Sequence, residues 1–139
     1  MKAPTSNVDH LLKAYQATII EVQLPSGDWV YDPSASWTGL PPELESASPI
    51  WIITAWNPFS EVLPEAENRI RNGELCGLLE ASEAPFFPAV GRSPDGRWRE
   101  SSFAVVGLPW ARIKELAQQF GQPAVFRIEN EQVTVDWTS

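Results

Sequence analysis

The run Ile50-Trp51-Ile52-Ile53-Thr54-Ala55-Trp56 constrains this chain more than any other stretch. It is apolar at odd and even positions alike, so a strand built from it is buried on both faces, or close to it, at the centre of a sheet. Asn57-Pro58 ends the run, because proline brings no N–H to a ladder and holds the residue before it out of the helical region. The stretch is far too short to span a bilayer. With 139 residues and 43% hydrophobic content, the chain is long enough to bury such a strand within a single domain over residues 1–139.

The flanking segments suggest how it is covered. Residues 7–16 suit a short helix capped by Asn7 or Ser6, with Leu11, Leu12 and Tyr15 at helical spacing. Over residues 18–24, Ile20, Val22 and Leu24 alternate with Glu21 and Gln23 as in a strand. Pro25-Ser26-Gly27-Asp28 is turn chemistry, and Trp29-Val30-Tyr31 returns as a hairpin partner. Residues 33–49, rich in Pro, Ser and Gly, form a long loop with one helical turn over 42–47, within the domain and not at its boundary.

Beyond the run, Pro64 suits a first helical position, with Glu65 and Glu67 in the first turn, where the helix dipole favours acids. That helix extends to about Ala81, and Ala66, Ile70, Gly73, Gly77 and Ala81 form a narrow face for close approach to a sheet. Residues 86–91 and 97–106 are strands joined by the tight turn Ser93-Pro94-Asp95-Gly96. Pro109 opens a helix carrying Ile113, Leu116, Ala117 and Phe120, which Gly121 stops. Residues 124–128 and 132–137 are strands around Glu129-Asn130-Glu131.

From residue 50 the order is β-α-β-β-α-β plus one strand. The expectation is an α+β fold with a ferredoxin-like (split βαβ) core, an N-terminal helix plus hairpin, and an extra C-terminal strand. A different α+β sheet made from the same elements is the alternative.

Net charge of −8 repels phosphate backbones and anionic lipid, so duplex nucleic acid and membranes are not expected partners. Residues 1–68 hold nine acids against Lys2 and Lys13, whereas Arg92, Arg97 and Arg99 gather around Asp95. Cys76 is the only cysteine and His10 the only histidine, which leaves almost no material for a His/Cys metal site or a Ser–His–Asp triad. No Gly-rich phosphate loop, HExxH or GxSxG is present, and no cofactor is expected. Met1-Lys2-Ala3-Pro4 leads into polar residues without an apolar signal region, so the expected address is cytoplasmic.

Four stretches resemble a bacterial family known as domain of unknown function 3293. They are Ile53-Thr54-Ala55-Trp56-Asn57-Pro58 with Ser60; Glu67-Asn68 with Asn72 and Leu75; Trp98 with Glu100 and Phe103; and Phe120-Gly121-Gln122 with Ala124. The similarity covers roughly residues 15–130. It brings no established activity. Where it implies a small capping residue before the helix, this chain has Leu63-Pro64.

The candidate ligand-binding residues are Thr54, Asn57, Ser60, Asn68, Arg71, Trp98, Glu100 and Gln122. Asn57 stands where a buried strand approaches a helix N-terminus, a place that receives anions or carbonyls; alternatively it forms a local Asx-turn before Pro58. Asn68, Arg71 and Asn72 share a helical face that either holds a polar ligand or is simply solvated. In Arg97-Trp98-Arg99-Glu100, Trp98 and Glu100 share one strand face, as the rim of a pocket or a protein-binding strand; otherwise Trp98 enters the core and Glu100 pairs with an arginine. The buried amide of Gln122 needs partners, with Asn57 or the Thr54 hydroxyl in reach. Cys76, among leucines, reads as a small core hydrophobe. The leading expectation is a binding module for a small polar or anionic ligand. The alternatives are a protein-interaction adaptor using residues 97–100 and, more weakly, a small hydrolase or transferase using Glu67 and Glu100.

Overall fold

The computed structural model of the protein describes residues 5–45 and 48–139, with side chains from residue 10 onward. Along the chain these form α1 (Thr5–Gln16), β1 (Ile19–Val22), β2 (Trp29–Tyr31), β3 (Ile50–Ile53), a 3-10 turn at Pro58–Ser60, α2 (Glu65–Ala81), β4 (Phe86–Arg92), β5 (Arg99–Val106), α3 (Trp110–Gln119), β6 (Ala124–Glu129) and β7 (Gln132–Trp137). The fold is α+β. Among the described residues the strands make one curled, antiparallel, seven-stranded sheet in the order β2-β1-β4-β5-β3-β6-β7.

β3 lies between β5 and β6, and all four of its residues are buried. Its two parities belong to two different layers. Trp51 and Ile53 pack with Leu75 and Leu79 of α2 and with Ile113, Leu116 and Phe120 from α3 and its end. Ile50 and Ile52 face the other layer, with Ile20, Val22, Leu44 and Phe126, flanked by Tyr15 of α1 and by Trp37 and Leu40. The proline-rich segment is therefore packed onto the sheet: Leu44 is fully buried, and the Trp29 indole N–H donates to the Gly39 carbonyl at 3.0 Å. Trp51, buried mid-sheet, satisfies its indole N–H on the Leu108 carbonyl at 2.7 Å. The curl brings Tyr31 of β2 and Val133 of β7, on opposite edges of the sheet, to one hollow beside Tyr15.

The periodicity of α3 is the buried one, and Gly121 stops the helix at φ +66°. α2 is turned the other way from the sequence expectation. Its buried residues are Asn68, Asn72, Leu75 and Leu79, while Ala66, Gly73, Gly77 and Ala81 face solvent and Ile70 is 64% exposed. The two asparagines are drawn inward because the chain beyond β3 needs their hydrogen bonds. Cys76 is only partly buried and contacts Glu80 at 3.7 Å, so it is not a core residue; burial and then the Glu80 charge push its thiol up. β5 begins at Arg99, which leaves Arg97 and Trp98 in the hairpin loop. A turn does form over 42–44, with Leu44 and Glu45 donating to the Pro41 carbonyl; its expected end at residue 47 lies outside the described residues. The helix α1 already includes Ser6 and Asn7, whose capping side chains lie outside the described ones, as does the N-terminal segment 1–4. Among the described residues no helix is long and apolar enough to cross a membrane.

Candidate functional site

After Ile53 the chain leaves the sheet, and its backbone groups lose their ladder partners. Buried groups of this kind must be satisfied elsewhere. Side chains take over almost one for one. Thr54 donates its hydroxyl to the Ser101 carbonyl at 2.6 Å and accepts the Trp56 N–H at 3.0 Å. The Ala55 N–H donates to Asn72 Oδ1, and the Ala55 carbonyl accepts from Arg71 Nε. The Trp56 carbonyl accepts from Gln122 Nε2, and the Asn57 N–H donates to Asn68 Oδ1 at 2.8 Å.

Asn57 is the pivot of this corner. It adopts the left-handed conformation at φ 47°, as do Phe59 and Ser60. Its Oδ1 accepts from Asn68 Nδ2 at 2.7 Å and from the Leu63 N–H at 3.0 Å, and its Nδ2 donates to Glu100 Oε1 at 3.3 Å. Asn57 is thus neither an open anion receptor nor a local Asx-turn. The expected small cap before α2 is absent, and Asn57 holds the Leu63 N–H from across the loop instead. Gly121 closes the corner from below: its carbonyl accepts the Phe59 N–H, and a Cβ there would meet the Pro58 Cβ at 2.9 Å.

Beside this corner lies a cavity of about 310 Å³. Leu11, Ala14 and Tyr15 of α1 line it together with Val62 and Trp98, and Asn57, Glu100 and Gln122 supply polar groups. A small inner hollow of about 30 Å³ continues toward Thr54 and Ser102. Glu100 borders both spaces. Its Oε1 receives the Asn57 amide and the Trp98 indole N–H, the latter at 3.2 Å. Burial pushes the Glu100 carboxyl up to about 7, against the opposing pull of these two N–H groups. Burial, and then the Glu100 charge, hold the Tyr15 phenol above its ordinary range.

The expected site residues therefore divide. Asn57, Ser60, Trp98, Glu100 and Gln122 border the main cavity, and Thr54 borders the inner hollow. Asn68 is buried behind Asn57. Arg71 is turned away, holding the Ala55 and Phe120 carbonyls with its guanidinium 5.8 Å from the Phe120 ring centre. The face of Asn68, Arg71 and Asn72 is structural and not solvated. Gln122 bonds the Trp56 and Phe120 carbonyls, not Asn57 or Thr54. Trp98 is 37% exposed at the cavity wall, and Glu100 is bonded to Trp98 and Asn57 with no arginine ion pair among the described residues. The wall supplied by Leu11, Ala14 and Tyr15 was missed, because Leu11 and Tyr15 at i, i+4 look the same whether a helix covers a core or a cavity. Among the described residues no group of three His, Cys, Asp or Glu side chains is placed to hold a metal ion.

Fold and site together define a small α+β protein with a half-open hollow floored by one partly buried carboxyl. The chain belongs to the family described as protein of unknown function (DUF3293), whose profile matches residues 53–125. That span holds the corner, Trp98, Glu100 and Gln122, and stops short of α1. No curated protein matches the chain, and no solved structure does.

Proposed function

We propose that this protein is a small-molecule binding domain whose site is the cavity over Glu100. The observation that carries the reading is the Glu100 carboxyl itself, set at the floor of a mainly apolar hollow with its protein hydrogen bonds on one oxygen. The volume is at the lower end of the range for ligand sites, and few convergent polar groups among apolar walls are their usual chemistry. A polar ligand fits better than an anionic one, since Arg71 is committed to backbone carbonyls and the charge left at the cavity is a carboxylate. The hydrolase or transferase reading lacks its second carboxyl here: Glu67 is on the exposed side of α2 and borders none of these spaces. The test is a fragment screen followed by backbone amide and indole NMR. Binders should shift the Trp98 indole and the amide of Gly91, which borders the inner hollow, and Ala14→Phe, which narrows the main cavity from α1, should abolish those shifts. Shifts that persist in Ala14→Phe would place the ligand elsewhere.

A protein partner is the second reading, favoured by the exposed apolar side chains of Val62 (88% exposed) and Trp98 at the cavity rim and by exposed Phe59 in the neighbouring turn. Such a partner would seat on the rim and not extend the sheet at β5, which is already paired with β4 and β3 on both sides. For the fold, we infer a ferredoxin-like core over residues 50–129. Support comes from the order β4-β5-β3-β6 with antiparallel neighbours and one helix in each of the two β-to-β crossovers.

A further inference from the structure

We propose that the ligand class of this cavity is an organic ammonium ion with a short apolar or aromatic body, held by Glu100 between Trp98 and Tyr15. The inference rests on the cavity reading above and gives it a chemistry.

A carboxylate taken out of water needs a cation, a proton or several donors. Among the described residues Glu100 has two neutral N–H donors and no cationic side chain within ion-pair distance. The nearby arginines are engaged elsewhere, Arg92 with Glu21 at 2.8 Å and Arg97 with Asp95 at 3.9 Å. Arg99 is exposed and, by strand alternation, belongs to the opposite face of β5. Among the described residues the site therefore has a negative group and no positive one.

Geometry then selects the cation. Both protein donors bond Oε1, so the second oxygen is left for a ligand N–H entering from the cavity. Trp98 and Tyr15 bring two aromatic rings to the same space, and rings attract a cation placed over their faces. Leu11, Ala14 and Val62 suit an apolar body behind the charged head. An anion would find a carboxylate and, among the described residues, no guanidinium.

The groups facing Glu100 are Tyr15 from α1, Asn57 from the corner, Ser93 and Trp98 from the β4–β5 hairpin, Ser102 along β5, and Gln122 after α3. Of these described residues only Tyr15 also titrates, and it is held protonated well above neutrality. Binding of a cation favours ionised Glu100, so ammonium affinity rises with pH through about 7 and the complex releases a proton below it.

Three probes of one shape test this: phenethylamine, phenethyl alcohol and phenylacetate, titrated by calorimetry and by the Trp98 indole NMR signal. The expected result is that the amine binds at least about tenfold more tightly than either isostere, as expected of a charge-assisted hydrogen bond. Its affinity should rise from about pH 6 to about pH 8, and Glu100→Gln should remove the preference. Gln keeps an oxygen for both N–H groups, and a melting curve checks that it folds. Equal or tighter binding of the alcohol or the acid, or amine binding unchanged in Glu100→Gln, overturns the ammonium class and leaves the cavity reading standing. If none of the three perturbs the Trp98 indole at millimolar concentration, both fall.

Discussion

At the scale of single residues, the most consequential side chain is one whose amide is spent on bracing the fold. Asn57 satisfies three groups with its amide and tolerates a left-handed backbone that few residues adopt without cost. Asn57→Ala strands the Leu63 N–H, leaves the Asn68 Nδ2 with only the Leu63 carbonyl and adds backbone strain, so urea denaturation should show a loss of about 3 kcal/mol. Asn57→Gly loses the same bonds without the strain and should recover about 1 kcal/mol of that. Equal stabilities for the two variants would remove backbone strain from the explanation. Glu100 gives a second prediction, with its sign set by the folded carboxyl titrating near 7 and the unfolded one near the ordinary 4.5. The folded state keeps its proton longer, so the stability contribution of Glu100 is whole below the unfolded value and is lost as pH rises through about 7. The size is on the order of 3 kcal/mol. Glu100→Gln should flatten that part of the stability profile; denaturation midpoints measured across it provide the check.

At the scale of elements, the β6–β7 hairpin turns through Asn130 at φ 54° and Glu131 at φ 61°. Both central positions are left-handed, which suits asparagine and glycine and not glutamate. Glu131→Gly should therefore raise stability by about 1 kcal/mol, visible as a higher melting temperature. The elements also show what was legible in the sequence. β3 announced itself because both of its parities are apolar, α3 because its stripe is regular, and the β1–β2 and β4–β5 hairpins because their turn residues are specific. The facing of α2 was illegible for a definite reason. Its inward stripe begins with Asn68 and Asn72, which hydropathy assigns to water, and they are inside only because residues 54–57 have surrendered their ladder bonds. The candidate site was half legible for the same reason: the family-like motifs marked the corner, but a polar side chain that braces a backbone and one that greets a ligand are spelled alike.

At the scale of the whole molecule, the sheet is sandwiched by unequal layers. α2 and α3 close one face with long buried stripes, while the other is closed by α1, the 32–45 segment and aromatic rings such as Tyr15, 5.6 Å from Phe126 and 5.9 Å from Trp137. Hydrogen exchange should follow this asymmetry, slowest in β3, β5 and β6, fastest in α1 and the edge strand β2. Protection of α1 equal to that of β3 would show the cover to be part of the central cooperative unit. The corner has a further consequence, for the time order of assembly. Its partners are separated by 11 residues for Asn57 with Asn68, 43 for Asn57 with Glu100 and 66 for Trp56 with Gln122. No fragment ending before Gln122 contains the whole brace, and long closures are slow to form. On a ribosome, the Trp56 carbonyl must wait for the Gln122 amide, 66 residues later, so the hollow takes its shape only after residue 122 has emerged.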